Sequence, residues 1–354
     1  MSPTSTEAAA NAPVRSAGGS HHFVIEYYTL EGRRLGPVPV EPDFQPAREW
    51  AWLEGVRRGL LEPVTIPAAG AIEPVWSPEH GSPYCDAIRV VASDEGQVSS
   101  LISKTYFRDL ANEHATVWVE RKELQPGERF HYRLCAYPLA AERLRPGDAP
   151  EIQIEGIAEP IRLTPSDLES FLARSEAFGV QHADDAPVFI PQEVLDQACT
   201  LAAEAGALET GGVLVGRLHR DADKPEVFIE VTAQIPAQHA EASGASFGFT
   251  PETWAAANAA IELRGGGDES ICGWFHSHPK WCRNCPPERQ RDCALARSFF
   301  SPDDIHLHRT CFGRAHQIAL LISDLPEAGP TPALFGWREG TVVPRGFHAV
   351  QRRH

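Results

Sequence analysis

The feature that most restricts how this chain can fold is an apolar segment that ends in two histidines. Residues Ser270–Phe275 read Ser-Ile-Cys-Gly-Trp-Phe and lead directly into His276-Ser277-His278-Pro279. Aromatic and β-branched residues favour a strand, and residues i and i+2 of a strand lie on the same face. The pattern therefore predicts that the imidazoles of His276 and His278 can reach one metal ion at the end of a strand.

A His-x-His pair alone is a weak signal, because such pairs often lie on ordinary solvated strands. Two further motifs accompany this one: Glu209–Gly212 (Glu-Thr-Gly-Gly) upstream and Ser301–Asp304 (Ser-Pro-Asp-Asp) downstream. A downstream carboxylate can serve as a third ligand and water as a fourth. Three protein ligands with one open position are typical of catalytic rather than structural zinc.

The three motifs together resemble the JAMM (MPN+) zinc metalloprotease family. Its pattern is a glutamate before a Gly-Gly strand, then His-x-His-Pro, then Ser-x-x-Asp. The resemblance covers about residues 187–345 and implies an α/β (α+β) fold, in which a mixed β-sheet is flanked by helices. It does not extend to the N-terminal part of the chain.

The resemblance also implies a role for each motif residue. His276, His278 and Asp304 would bind the zinc ion, and Glu209 would be the general base and acid. Ser301 would donate a hydrogen bond to the developing oxyanion. These assignments have purely structural alternatives: Glu209 as one more charge near the end of a helix, and Ser301 as a helix N-cap followed by proline, with Asp304 contributing to the cap.

The length of 354 residues suggests two domains, at roughly 150 residues per domain. Residues 1–20 are rich in Ala, Ser, Thr and Pro, and we expect a disordered tail rather than a signal peptide. Residues 21–180 are expected to form an α+β domain of unknown role. A polar segment at 181–187 would link it to the JAMM-like domain at 187–345.

Hydrophobic periodicity and capping signals predict individual elements. In the second half these are helices 191–207 and 251–263 and strands 211–216, 226–231, 270–276, 318–322 and 333–337. In the first half they are strands 23–28, 87–91, 115–120, 130–134 and 152–157 and helices 46–61, 98–111 and 164–178.

The segment 280–300 is longer than the family's usual spacer between His-Pro and Ser-x-x-Asp. It contains Cys282, Cys285 and Cys293, and His306 follows shortly after it. Three cysteines and a histidine match a structural zinc site, and a branch of the family that includes AMSH places a zinc-binding histidine at the position of His306. A flexible reduced loop is the alternative reading.

Three further residues are candidates for the fourth ligand of that second site, in place of His306. They are His308, Cys311 and Cys272.

The formal net charge of −16 argues against a nucleic-acid partner, because phosphate binding requires clustered Lys and Arg. The sequence contains no apolar run of 18 residues or more, so we expect neither a transmembrane helix nor a membrane partner. Clustered cysteines in a chain without a secretion signal favour metal or free thiols over disulfides, which indicates a reducing cytoplasm.

The resemblance implies a zinc-dependent isopeptidase or peptidase that acts at the C-terminal tail of a ubiquitin-like protein or its conjugates. E1- and E2-like proteins of the same system are further expected partners. The tail could add as a strand to an exposed sheet edge near residues 270–276. Two alternatives are a peptidase that processes a sulfur-carrier protein or its adduct, and an MPN scaffold without catalytic activity.

Overall fold

The computed structural model describes residues 21–63, 70–92, 98–139, 161–237, 241–242, 247–265, 267–279, 286, 298–325 and 328–351. The helices are α1 (Gln45–Arg57), α2 (Arg108–His114), α3 (Thr116–Glu120), α4 (Leu168–Leu172), α5 (Gln192–Ala205), α6 (Pro251–Arg264) and α7 (Pro302–Cys311), and a 3-10 helix covers Lys104–Phe107. The strands before residue 180 are β1 (His21–Thr29), β2 (Arg34–Val40), β3 (Ile72–Trp76), β4 (Tyr84–Val91), β5 (Ser99–Ser103), β6 (Phe130–Pro138), β7 (Leu163–Ser166) and β8 (Ser175–Phe178). Those after it are β9 (Val188–Pro191), β10 (Gly211–Asp221), β11 (Val227–Pro236), β12 (Glu241–Ala242), β13 (Phe247–Gly248), β14 (Ser270–His278), β15 (Ile318–Leu325), β16 (Gly329–Arg338), β17 (Thr341–Arg345) and β18 (Phe347–Val350).

The strands form two main sheets. The smaller follows the order β2-β1-β6-β4-β3, with β5 paired to β4, and all its pairings are antiparallel. The larger follows β17-β16-β15-β14-β10-β11-β9-β18-β8, with β7 paired to β10. It is mixed, since β14 runs antiparallel to β10 and parallel to β15. The predicted α+β fold class is therefore confirmed.

Strand β14 lies in the interior of the larger sheet, between β10 and β15. Cys272, Trp274 and Phe275 are fully buried, which explains why both faces of this strand are apolar. Because β14 is paired on both sides, the expected exposed edge near residues 270–276 is wrong. A substrate tail cannot add there as a further strand.

Two glycines permit close backbone packing around β14. A Cβ at Gly273 would lie 2.0 Å from the carbonyl oxygen of Ile318 on β15, and one at Gly212 would lie 2.2 Å from that of Ile235 on β11. Neither contact can be relieved by a side-chain rotation, because the opposing atom belongs to a paired strand. Glycine is therefore needed at both positions, because only a residue without a Cβ atom lets the strands pack this closely.

The smaller sheet packs against the larger through α1. Arg57 Nε lies 2.8 Å from Glu226 Oε1, and Arg220 donates to the carbonyl oxygen of Val56 over 2.7 Å. A buried carboxylate on α1, that of Glu49, pairs with Arg314 at 3.1 Å. One continuous apolar core includes residues of both sheets.

Several predicted elements are wrong. Residues 164–178 are not one helix, because they contain β7, the short helix α4 and β8. Pro165 lies in β7, which pairs with β10, and Asp167 rather than Thr164 caps the helix. Residues 163–178 thus belong to the larger sheet, although they precede the expected division at 180.

The segments 98–111 and 115–120 also differ from prediction. The first contains β5 and a 3-10 helix before α2 begins, and the second is helix α3. Its β-branched residues suggested a strand, but the helix buries Trp118 against the ring of Tyr27, and tertiary packing of this kind overrides local strand propensity. Strand 152–157 and the tail 1–20 lie outside the described residues.

We predict that Gly273→Ala lowers the free energy of unfolding by about 2–3 kcal/mol, because the added methyl group would overlap the Ile318 carbonyl. Gly313→Ala is the control, since its Cβ would lie 3.3 Å from its nearest neighbour, and we expect a loss below about 1 kcal/mol. Urea denaturation of the two variants measures both values. Equal losses would contradict the packing argument.

Candidate metal centre

Three side chains converge where β14 ends and α7 begins. The Nε2 atoms of His276 and His278 are 3.1 Å apart, and they lie 3.1 and 3.2 Å from the two carboxylate oxygens of Asp304. All three residues are buried. Among the described residues, this is the group of three or more His, Cys, Asp or Glu side chains that could hold a metal ion.

Hydrogen bonds alone do not account for this arrangement. Each neutral imidazole carries one ring proton, so a nitrogen that donates to Asp304 has no lone pair left to accept from the other ring. At least one of the three close contacts therefore lacks a bridging hydrogen. A cation accepts electron pairs from all three, and two ligands of a tetrahedral zinc ion lie about 3.4 Å apart. The donor set and its spacing fit a metal ion.

Asp304 is held by the first turn of α7. Ser301 is the N-cap: its Oγ accepts from the Asp304 backbone N–H at 3.1 Å, while its own backbone N–H donates to Asp304 Oδ2 at 2.7 Å. This capping box confirms the structural reading of Ser301. Neither bond uses the hydroxyl hydrogen of Ser301, which remains able to donate to another group.

The charges of the centre are coupled. Burial opposes ionisation of Asp304, but hydrogen bonds with His276 and His278 outweigh it and hold the pKa of this carboxylate well below its usual range. Burial lowers the pKa of His276. An ionised carboxylate and a neutral imidazole are the protonation states that a metal requires.

Glu209 lies at the neighbouring strand end. It precedes β10, whose Gly211 pairs with His276, and it is only 4% exposed. Burial raises the pKa of its carboxyl to about 7, and the negative charges of Asp304 and Asp303 contribute. The structure therefore brings Glu209 to the same side of the sheet end as the three candidate ligands, which was expected only from the resemblance.

Ser277, between the two histidines, fixes this strand end. Its Oγ accepts from the Thr210 N–H at 3.0 Å, and its own N–H donates to the Thr210 carbonyl at 2.7 Å. Sequence reasoning assigned Ser277 no role. The period of two could have found it, because a residue between two ligands on a strand faces away from them.

The ring of Trp274 supports His276, and the sequence did not predict this contact either. The ring of His276 stacks on that of Trp274, with centroids 4.5 Å apart and an angle of 13° between the planes. Trp274 Nε1 in turn donates to Nδ1 of His308 at 3.0 Å. Burial lowers the pKa of His308 to about 3, so this histidine is a neutral hydrogen-bond acceptor inside the protein.

Of the four expected ligands of the second zinc site, one lies in the described part of the chain. Cys282, Cys285 and Cys293 lie outside it, and His306 is exposed on α7. The substitute ligands are dispersed: His308 accepts from Trp274, Cys272 is buried beside the Leu214 carbonyl, and Cys311 is exposed.

No protein-family model and no curated protein matches this chain. The solution structure of protein DSY2949 from Desulfitobacterium hafniense is similar over 47% of this chain and 94% of that chain, with 19% identity and a TM-score of 0.32. A similarity of this size assigns neither fold nor function. In the part of the chain that the structure describes, no helix is both long and apolar enough to cross a membrane.

We predict that Trp274→Phe weakens Zn²⁺ binding about tenfold, because His276 loses a support that is itself anchored to His308. Trp337→Phe is the matched control, since it also removes a buried indole hydrogen bond, to the carbonyl of Phe312 at 2.9 Å. Both variants should lose about 1–3 kcal/mol of unfolding free energy. Calorimetric zinc titration separates them, and equal losses of affinity would contradict the support role.

We also predict a pH-dependent effect of Glu209→Gln on the metal-free protein. The folded pKa of about 7 exceeds the ordinary value of 4.5, so the stability associated with the protonated carboxyl is complete below pH 4.5 and is lost as the pH rises through about 7. The free energy of unfolding of the variant minus that of wild type should therefore increase between pH 4.5 and about pH 8. The expected increase is about 1–3 kcal/mol, in favour of the variant at the higher pH. Glu204→Gln, an exposed change, should show no such trend in urea denaturation.

Proposed function

We propose that this chain is a zinc-dependent isopeptidase or peptidase that acts at the C-terminal tail of a ubiquitin-like protein or its conjugates. The observation that supports it most strongly is the convergence of His276, His278 and Asp304 beside Glu209. A site that only binds a structural ion needs no buried carboxyl with a raised pKa next to its ligands. The resemblance to JAMM enzymes supplies the substrate class.

His276, His278 and Asp304 would hold the zinc ion. Zinc bound there would supply Lewis acidity and would lower the pKa of water toward about 7. Because the described residues supply three ligands, a fourth position would remain for water, and such a ligand set favours hydrolysis over a structural role.

Glu209 is the proposed proton carrier. A group that takes a proton from water and returns it to a leaving amine works best with a pKa near the working pH, and Glu209 has a pKa of about 7. A bound dication would offset the repulsion from Asp304 and lower that pKa, so the carboxylate would be ready to act as a base at neutral pH. The Ser277–Thr210 hydrogen bonds hold the backbone next to Glu209.

Ser301 is the proposed donor to the oxyanion. Its capping bonds fix the position of the Oγ atom through the backbone of α7, while the hydroxyl hydrogen is not used in them. A preorganised donor of this kind stabilises negative charge as it develops on the carbonyl oxygen. One residue would thus orient Asp304 and assist the reaction.

The second, structural zinc at Cys282, Cys285, Cys293 and His306 is part of the same proposal. Zinc content measured by mass spectrometry distinguishes one ion per chain from two. If Cys282→Ser with Cys285→Ser leaves the zinc content unchanged, the second site is absent.

We predict that Glu209→Gln lowers the rate of cleavage by about 10²–10⁴-fold and keeps the zinc content, because the proton carrier is lost while the ligands remain. His276→Ala should lose both zinc and activity. The probe is a ubiquitin-like protein joined through its C-terminal tail to the side-chain amine of a fluorescent lysine peptide.

Glu204→Gln serves as the matched control for this experiment and should cleave the probe at the wild-type rate. If Glu209→Gln also cleaves at that rate, the catalytic role of Glu209 is wrong. If wild type binds zinc but cleaves nothing, the isopeptidase proposal fails and an MPN scaffold becomes the better interpretation.

A further inference from the structure

A cleft of about 780 Å³ lies between the N-terminal part of the chain and helix α7. Glu41 and Asp43 line one part of it, α2 with the preceding 3-10 helix lines a second, and α7 lines the third. We name it the α2–α7 cleft. Its volume is within the range of roughly 300–1,000 Å³ that is usual for ligand sites.

The cleft and the metal centre use different faces of one helix. Pro302, Ile305 and Arg309 line the cleft, and their spacing of three and four residues places them on one face of α7. Asp304 is on another face, directed at the two histidines. The two sites therefore meet at the first turn of α7, immediately beside Ser301.

The rim of the cleft is acidic. Glu41, Asp43, Asp109 and Glu113 line it, against one guanidinium, that of Arg309. Asp43 is 4.0 Å from Arg309, and Asp109 pairs with Arg108 at 3.6 Å. Glu41 and Glu113 form no ion pair with any described residue, so these two carboxylates are available to a cationic ligand.

The walls between the carboxylates are apolar. Tyr106, Phe107 and Leu110 lie on one side and Ile305 on the other. An apolar wall below a carboxylate rim suits a lysine or arginine side chain, because its methylene stem packs on the wall while its charge remains at the rim. A hydrophobic ligand or an acidic one would leave the rim uncompensated.

We propose that the α2–α7 cleft binds the acceptor side of the substrate, as a Lys- or Arg-containing polypeptide segment that flanks the lysine carrying the isopeptide bond. The proposal rests on the proposed function and gives the N-terminal part of the chain a role in substrate choice. A helix is about 10–12 Å across, and an extended chain advances about 3.3 Å per residue. The segment thus enters the cleft about three to four residues from the reacting bond.

The first test measures binding without catalysis. Its probe is a fluorescent peptide of roughly eight residues with three Lys or Arg side chains, and its counterpart carries Glu at those positions. The full chain should bind the basic peptide at least about tenfold more tightly, and added salt should weaken the binding because the rim is solvated. Fluorescence anisotropy measures both affinities.

Two double variants make the same change of charge, one inside the cleft and one outside it. Glu41→Lys with Glu113→Lys should weaken binding of the basic peptide about tenfold. Glu120→Lys with Glu176→Lys alters two exposed glutamates outside the cleft and should leave the affinity within about twofold. Equal affinity of wild type for both peptides, or equal losses in both double variants, would overturn the proposal.

The second test separates this proposal from the proposed function. Two conjugates of one ubiquitin-like protein are compared, with basic or neutral residues three to four positions from the acceptor lysine. Wild type should cleave the basic one with the higher kcat/KM, and Glu41→Lys with Glu113→Lys should bring the ratio of the two kcat/KM values to about one. Cleavage of both at equal rates overturns the role of the cleft alone, whereas cleavage of neither overturns the proposed function and the acceptor role with it.

Discussion

The burial of β14 between β10 and β15 is the constraint on which the rest of the site depends. It fixes the alternation of the strand, so that His276 and His278 face one way and Ser277 faces the other. The register sets His276 opposite Gly211 on β10, which brings Glu209 to the same end of the sheet. One strand therefore positions two ligands and, through its neighbour, the proposed base.

The same burial carries a free-energy cost for the polar side chains at the end of β14. Two imidazoles and a carboxylate are withdrawn from water, and such groups are costly inside a protein unless they are fully paired. The three contacts among them cannot all be hydrogen bonds, whereas a metal ion can accept an electron pair from each of the three side chains at once. The raised pKa of Glu209 has the same origin, since burial and the Asp304 charge both oppose its ionisation.

The N-terminal sheet is joined to this arrangement by polar and apolar contacts. The Glu49–Arg314 pair lies just beyond α7, and Arg57–Glu226 connects α1 to the start of β11. Breaking one partner of a buried pair leaves an uncompensated charge. These contacts hold the N-terminal part against the segment that follows α7, and the α2–α7 cleft lies between α7 and the N-terminal part.

The sequence by itself determined the local features of the site. The apolar run that ends in His-Ser-His identified β14, and the Ser-Pro-Asp-Asp motif identified the cap of α7, because both depend on neighbours within a few residues. The same local signals failed at Thr164–Phe178 and at Ala115–Glu120, where strand pairing with β10 and packing against Tyr27 override them. Only the tertiary structure decided that β14 has no free edge, that Trp274 and His308 support His276, and that an acidic cleft opens beside Ser301. Those features join residues far apart in the chain, and their geometry depends on the packing of two sheets rather than on any local pattern.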